Sequence, residues 1–198
     1  MWDERYREAF VSYGTEPNDF LREVVGRIPA GPVLCLAEGE GRNAVFLAEQ
    51  GYEVTAVDQS GVGLANAERL ASERGVEITT VVSNLADFDL GDARWAGIVS
   101  IWAHVPPGLR RSLHASCVRA LKAGGALVLE AYTPRQLDRP GRGGPPSAEL
   151  TMTPEELRQE LSGLHLECCR EVDRDVAEGQ CHQGPSTTVQ VLAFKPEG

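Results

Sequence analysis

Apolar positions along this chain recur with two periods. From Asn18 or Asp19, either of which can cap a helix, Phe20, Leu21, Val24, Val25 and Ile28 fall on one helical face, and Pro29-Ala30-Gly31-Pro32 ends the run. Val33-Leu34-Cys35-Leu36 follows as a short block without polar alternation, the pattern of a strand covered on both faces. The two patterns then alternate. Arg42 to Glu49 reads as a helix stopped by Gly51, and Val54 to Val57 as a strand ending at Asp58. A helix capped by Ser60 runs to Arg74 and is closed by Gly75. Ile78 to Val82 and Gly97 to Trp102 read as strands, Pro106 to Leu121 as a helix, and Ala126 to Tyr132 as a fifth strand after Gly124-Gly125. Ahead of all this, Trp2 to Phe10 has helical spacing and breaks at Tyr13-Gly14-Thr15-Glu16-Pro17.

Regular alternation of strand and helix predicts right-handed βαβ units in a doubly wound sheet. The end of the chain departs from it: a helix over Pro154 to Leu161 precedes Leu164 to Val172 and Thr187 to Phe194, which read as an antiparallel pair. The expected fold is therefore α/β, Rossmann-like and doubly wound, a mostly parallel seven-stranded sheet finished by a C-terminal antiparallel strand pair. Residues 1–198 form one domain, with 1–30 as a helical cap segment. The stretch 133–152 carries Pro134, Pro140, Gly141, Gly143-Gly144 and Pro145-Pro146. It is too long and broken for a plain connection, and reads either as a lid over the active site or as a disordered spacer.

Composition narrows the partners. The 198 residues carry a formal charge of −10, from 29 acidic and 19 basic side chains. Nucleic-acid binders need Lys and Arg to replace counterions along phosphates, so small molecules are the better class. No stretch is apolar enough to span a bilayer, and Met1-Trp2-Asp3-Glu4-Arg5 does not suit a secretory signal. A cytoplasmic protein, without membrane or nucleic-acid partners, is the expectation. Five cysteines (Cys35, Cys117, Cys168, Cys169 and Cys181) with no C-x-x-C pair predict neither a disulfide framework nor a metal site.

Two features carry chemistry. The segment Leu36-Ala37-Glu38-Gly39-Glu40-Gly41-Arg42-Asn43 joins the first strand to its helix. Glycine there lets a nucleotide approach the backbone, since it has no Cβ. Asp58 stands 17 positions after Gly41 at the end of the second strand. A carboxylate at that place accepts hydrogen bonds from both ribose hydroxyls of an adenosine-type cofactor. Together they fit a nicotinamide or an adenosylmethionine site. The missing third glycine of the dinucleotide fingerprint and the terminal antiparallel pair favour the second.

These residues, continued by Phe46-Leu47-Ala48 and Gly51-Tyr52-Glu53-Val54-Thr55-Ala56-Val57-Asp58, resemble class I methyltransferases. Within that class they are most similar to the tellurite-resistance protein B group and its small bacterial relatives. Tyr13-Gly14-Thr15-Glu16-Pro17-Asn18 resembles the N-terminal signature of such short proteins, and Leu121-Lys122-Ala123-Gly124-Gly125 a run common to the wider superfamily. The resemblance implies S-adenosyl-L-methionine as cofactor. It places Gly39 and Gly41 along the methionine portion, Asp58 at the ribose, Gln59 beside the adenine, Asn84 and Leu85 at its edge and face, and Trp102 and His104 by the sulfonium, with Asn43 also among the cofactor-binding residues. Cys35 stands where the pattern has an acid and Ala37 where it has a glycine, so Glu38 or Glu40 is expected to supply the carboxylate near the cofactor's ammonium group.

For the acceptor, a small-molecule nucleophile such as a tellurite- or selenite-type oxyanion or a thiol is expected. His182, in Glu178-Gly179-Gln180-Cys181-His182-Gln183-Gly184, either folds back over the methyl group or forms a polar hairpin turn. Arg42 either serves an anion at a helix N-terminus or faces solvent, and His104 is a candidate base or cofactor contact. Two rivals remain: a nicotinamide-dependent oxidoreductase, and an adenosylmethionine-binding relative that has lost catalysis.

Overall fold

A computed structural model describes residues 2–8, 13–139 and 143–197. Seven strands form one sheet in the order β3-β2-β1-β4-β5-β7-β6. They are β1 (Pro32–Leu36), β2 (Glu53–Asp58), β3 (Thr79–Val82), β4 (Trp95–Ile101), β5 (Leu121–Tyr132), β6 (His165–Glu178) and β7 (His182–Phe194). β1 to β5 pair in parallel; β7 runs antiparallel between β5 and β6. This is the expected Rossmann-like sheet with its antiparallel end.

Alternation along the strands feeds two core layers. Val33, Cys35, Val54, Ala56, Val99 and Val128 point to one face, where α2 (Asp19–Val24), α3 (Arg42–Glu49) and Leu64 of α4 (Gly61–Arg74) pack. Leu34, Leu36, Ile98, Leu127 and Leu129 point to the other, against α5 (Pro107–Ala120) and α6 (Pro154–Glu160). Asn18 caps α2 through Leu21 N–H, and Ser60 caps α4 through Gly63 N–H. Arg110 of α5 is 1% exposed and fastens α6 through Glu156 and Glu160, with His114 also bonded to Glu160. α1 (Trp2–Glu8) lies across α4; the predicted end of that helix at Ala9 and Phe10 lies outside the described residues.

The terminal hairpin is longer than the apolar pattern suggested. β7 pairs with β5 only from Phe194 to Thr188, but with β6 from Phe194 to His182. The distal half of the hairpin therefore overhangs the carboxyl edge of the sheet. The expected loop at 178–184 shrinks to a turn at 179–181, and His182 is a strand residue facing Glu178.

Residues 133–139 and 143–152 form two short 3-10 turns held at both feet. Thr133 N–H bonds the Thr187 carbonyl, and Met152 N–H the Tyr132 carbonyl. Residues 140–142, within the stretch read as a lid or a spacer, lie outside the described residues. Among the described residues no helix is long and apolar enough to cross a membrane, and no cluster of His, Cys, Asp or Glu could hold a metal.

Candidate active site

In open α/β sheets ligands collect outside the carboxyl ends of the strands, where the strand order reverses. Here that crevice lies between β1 and β4. The turn after β1 is built on three left-handed backbones: Ala37 at φ 50°, Gly39 at 64° and Gly41 at 85°. Ala37 has the conformation a glycine takes freely, at a cost of about 1–2 kcal/mol for an L-residue. Gly41 answers to packing: a Cβ there would sit 2.4 Å from the Ala67 Cβ of α4.

Glu38 folds its carboxylate over the start of α3. Its Oε1 accepts the Asn43 and Ala44 N–H groups at 2.9 and 2.8 Å, two donors that a helix N-terminus leaves unpaired. The Cys35 thiol donates to the same carboxylate. Burial pushes Glu38 up to about 7, against the helix N–H groups and Arg42. The Glu38 carboxylate thus ends beside the side chain of Cys35, the position where the resemblance expects an acid. Cys35 itself is fully buried in the core and lines no groove, which corrects its expected place at the cofactor.

Asp58 closes the turn from β2. Its Oδ2 accepts Gly39 N–H at 2.9 Å and its Oδ1 accepts Ser60 N–H at 2.8 Å. Burial raises its carboxyl pKa while these N–H groups oppose the rise. Tyr6 of α1 roofs this turn: a Cβ on Gly39 would meet the Tyr6 hydroxyl at 2.6 Å, and one on Gly63 the Tyr6 ring at 3.0 Å. Tyr6 is buried, and α1 is tied down by the Ser60 hydroxyl bond to Asp3 and by Asn66 Nδ2 to the Tyr6 carbonyl.

The other expected cofactor residues separate. Gln59 and Asn84 are exposed, and Asn84 Oδ1 accepts Ala86 N–H at 2.9 Å. Leu85 packs against the α5 side of the core. Asn43 turns inward, where its Oδ1 accepts Asn18 N–H at 2.9 Å.

On the far side of the crevice an aromatic cluster caps β4 and β5. Trp102 has φ 59°, an outlier for a bulky residue. It stacks on Tyr132 with ring centroids 4.3 Å apart. His182 lies 5.0 Å from Trp102 and 5.0 Å from Tyr13, with its Nδ1 3.1 Å from the Tyr132 hydroxyl. Tyr13 in turn lies 6.1 Å from Tyr6, so rings run from the glycine turn to the β5 end. The overhanging hairpin brings His182 in. Gly179 allows it, since a Cβ there would meet the Tyr13 backbone at 2.4 Å.

His104 stands behind this cluster. Its Nδ1 lies 2.9 Å from the Leu150 carbonyl and its Nε2 accepts Tyr132 N–H at 3.3 Å. Burial lowers its pKa to about 4, so it is neutral with both nitrogens engaged. The candidate base is a tie between β5 and the segment ending at Met152.

Beneath the rings lies a buried ionic network that the sequence reading missed. Glu130, near the carboxyl end of β5, accepts from Asn18, Arg174, Thr188 and Gln190. Glu178 accepts from Asn18, Arg42, Arg174 and the Trp102 indole. Although burial alone would raise it, the Arg42 guanidinium and the other donors hold Glu178 down to about 2. Arg42 is 5% exposed and paired with Glu178, so it is not the expected free cation at the helix start. One signal was available: Glu130 is a lone charge within the apolar run Ala126 to Tyr132. Arg174 and Glu178, on an alternating strand, gave none.

The turn suits an adenosylmethionine-type group in charge. Asp58, Glu40 and Glu38 all act on the Tyr6 hydroxyl, a cluster of carboxylates that complements a sulfonium and an ammonium. In shape, the cradle over Gly39 is shared with the Tyr6 ring.

Residues 33–125, which include this turn and Asp58, match a family described as a methyltransferase domain. No curated protein matches the chain by sequence. Solved structures share the fold. One, described under the conversion of a disulfide bond into a thioacetal group during echinomycin biosynthesis, superposes with a TM-score of 0.77 at 18% identity, covering 100% of this chain and 91% of its own. TehB from Haemophilus influenzae gives 0.75 at 16% identity, over 98% of this chain and 67% of its own. The N-methyltransferase NodS from Bradyrhizobium japonicum WM9, in complex with S-adenosyl-l-homocysteine, gives 0.71 at 16%, over 98% and 96%.

Proposed function

We propose that this chain is an S-adenosylmethionine-dependent methyltransferase acting on a small-molecule nucleophile, with a thiol favoured over an oxyanion. The observation that carries the reading is the Gly39–Asp58 hydrogen bond at the switch point of the sheet, inside the stretch that matches a methyltransferase domain. The antiparallel β7 counts against the nicotinamide alternative, whose sheet has no such strand. NodS, of the same fold, holds S-adenosyl-l-homocysteine.

The cofactor supplies a methyl group on a sulfonium, and the rest falls to the chain. Asp58 binds the ribose side, with its carboxylate aimed by Gly39 and Ser60 N–H groups. Asp58 and Glu40 set a negative potential over the turn, which suits an ammonium group, while Glu38 is committed to the N–H groups that open α3. Tyr6, Tyr13 and Trp102 exclude water and present ring faces to a cation. For an acceptor that loses a proton, His182 is the candidate base, with its Nδ1 3.1 Å from the Tyr132 hydroxyl. The arginines near the rings, Arg42 and Arg174, are both paired with Glu178 or Glu130. An oxyanion therefore meets no unpaired guanidinium among the described residues of this cluster, which favours an uncharged or thiol acceptor.

Calorimetric titration with S-adenosylhomocysteine tests the cofactor, with NAD as control. Micromolar affinity for the first alone is expected, and binding of NAD alone overturns the reading. Release of S-adenosylhomocysteine in the presence of small thiols, and not of selenite or tellurite, is the expected acceptor result.

A further inference from the structure

Glu178 sits at the tip of β6, yet its carboxylate collects donors from four separate elements. Asn18 Nδ2 precedes α2 at 2.9 Å, Arg42 opens α3 directly after the glycine turn, Trp102 Nε1 stands past the end of β4 at 2.7 Å, and Arg174 lies four residues back at 2.7 Å. The carboxylate is 4% exposed. A buried ionic cluster of this kind is weak evidence of a stabilising purpose, because apolar residues of equal volume often serve as well. Its contacts are specific instead. The same Oε2 atom receives both the Arg42 guanidinium and the Trp102 indole. Trp102 is also the residue whose backbone is left-handed and whose ring is stacked on Tyr132. Strain held at such a place persists only where surrounding contacts over-determine it. Here those contacts are the indole bond to Glu178, the Trp102 N–H bond to the Glu130 carbonyl, and the stack on Tyr132.

Resting on the proposed methyltransferase reading, we propose that Glu178 is a positioning residue: it locks the Trp102 indole to Arg42, and so holds the aromatic wall of the acceptor side in register with the cofactor turn. It touches neither the cofactor nor the acceptor. It acts through Trp102 and Arg42, and the overhang of the terminal hairpin exists to deliver it.

The test uses the full chain with Glu178→Gln, Trp102→Phe and the double variant. Trp102→Phe deletes the indole donor without leaving an uncompensated buried charge, so it remains informative if Glu178→Gln folds poorly. Calorimetric titration with S-adenosylhomocysteine reads the cofactor side. Each single variant is expected to weaken binding about tenfold, and the double variant no more than the worse single, as for residues acting as one unit. The indole N–H resonance of Trp102, assigned by its loss in Trp102→Phe, reads the positioning directly and needs no ligand. In Glu178→Gln it is expected to broaden or split as the ring leaves its single orientation. An unbroadened single resonance together with unchanged affinity, accompanied only by a lower Tm, overturns the proposal and leaves Glu178 a structural tie. If the wild-type chain fails to bind S-adenosylhomocysteine, the cofactor reading falls, and the indole resonance alone decides the role of Glu178.

Discussion

Glu38 offers a measurement in which one buried carboxyl separates cleanly from the rest. Folding raises it from an ordinary value of 4.5 to about 7, chiefly by burial. Between those values the native protein holds a proton that the unfolded chain has released. Stability from this group is therefore fully present below the unfolded pKa and is lost as pH rises through the folded one. At about 1.4 kcal/mol per unit, the swing is up to about 3 kcal/mol. Glu38→Gln imitates the protonated form: the amide oxygen still accepts the Asn43 and Ala44 N–H groups, and no charge is buried. Urea unfolding of both proteins at pH 4.5, 6 and 8 should show near-equal stability at the lowest pH. At pH 8 the variant should be ahead by about 2–3 kcal/mol. His104, lowered to about 4, and Glu178, lowered to about 2, titrate with the opposite sign, losing stability as pH falls. Both are common to the two proteins and cancel in the difference. A difference that stays flat within about 0.5 kcal/mol across the range would refute the placement of Glu38 as a buried, proton-holding cap.

Two further outcomes follow from the turn itself. Gly41→Ala forces a Cβ to within 2.4 Å of the Ala67 Cβ at φ 85°, and is expected to cost about 2–4 kcal/mol in urea unfolding; a loss below about 0.5 kcal/mol would show that α4 yields easily. Tyr6→Ala removes the aromatic roof over Gly39 and is expected to weaken S-adenosylhomocysteine binding about tenfold, with Tyr6→Phe within about twofold of wild type. Tighter binding in Tyr6→Ala would instead identify Tyr6 as an obstruction in the groove.

Several parts of this protein were legible in one dimension because their causes are local. The apolar block Val33 to Leu36 is a strand covered on both faces, and Ser60 and Gly75 bound α4 where a cap and a left-handed residue were expected. Gly39 and Asp58 meet because a βαβ unit must bring the ends of adjacent parallel strands side by side. Tertiary structure decided what depends on separated segments meeting. Cys35 lies in the core while the Glu38 carboxylate folds over the start of α3, since a turn, and not a spacing, aims each side chain. Arg42 has no free charge because Glu178, 136 positions away, reaches it over the sheet edge. His182 entered the site by strand register: β6 and β7 stay paired beyond the end of β5, and that length is set by two strands holding each other rather than by either run of residues. Periodicity records which face a residue is on; only the folded chain records which neighbour stands opposite it.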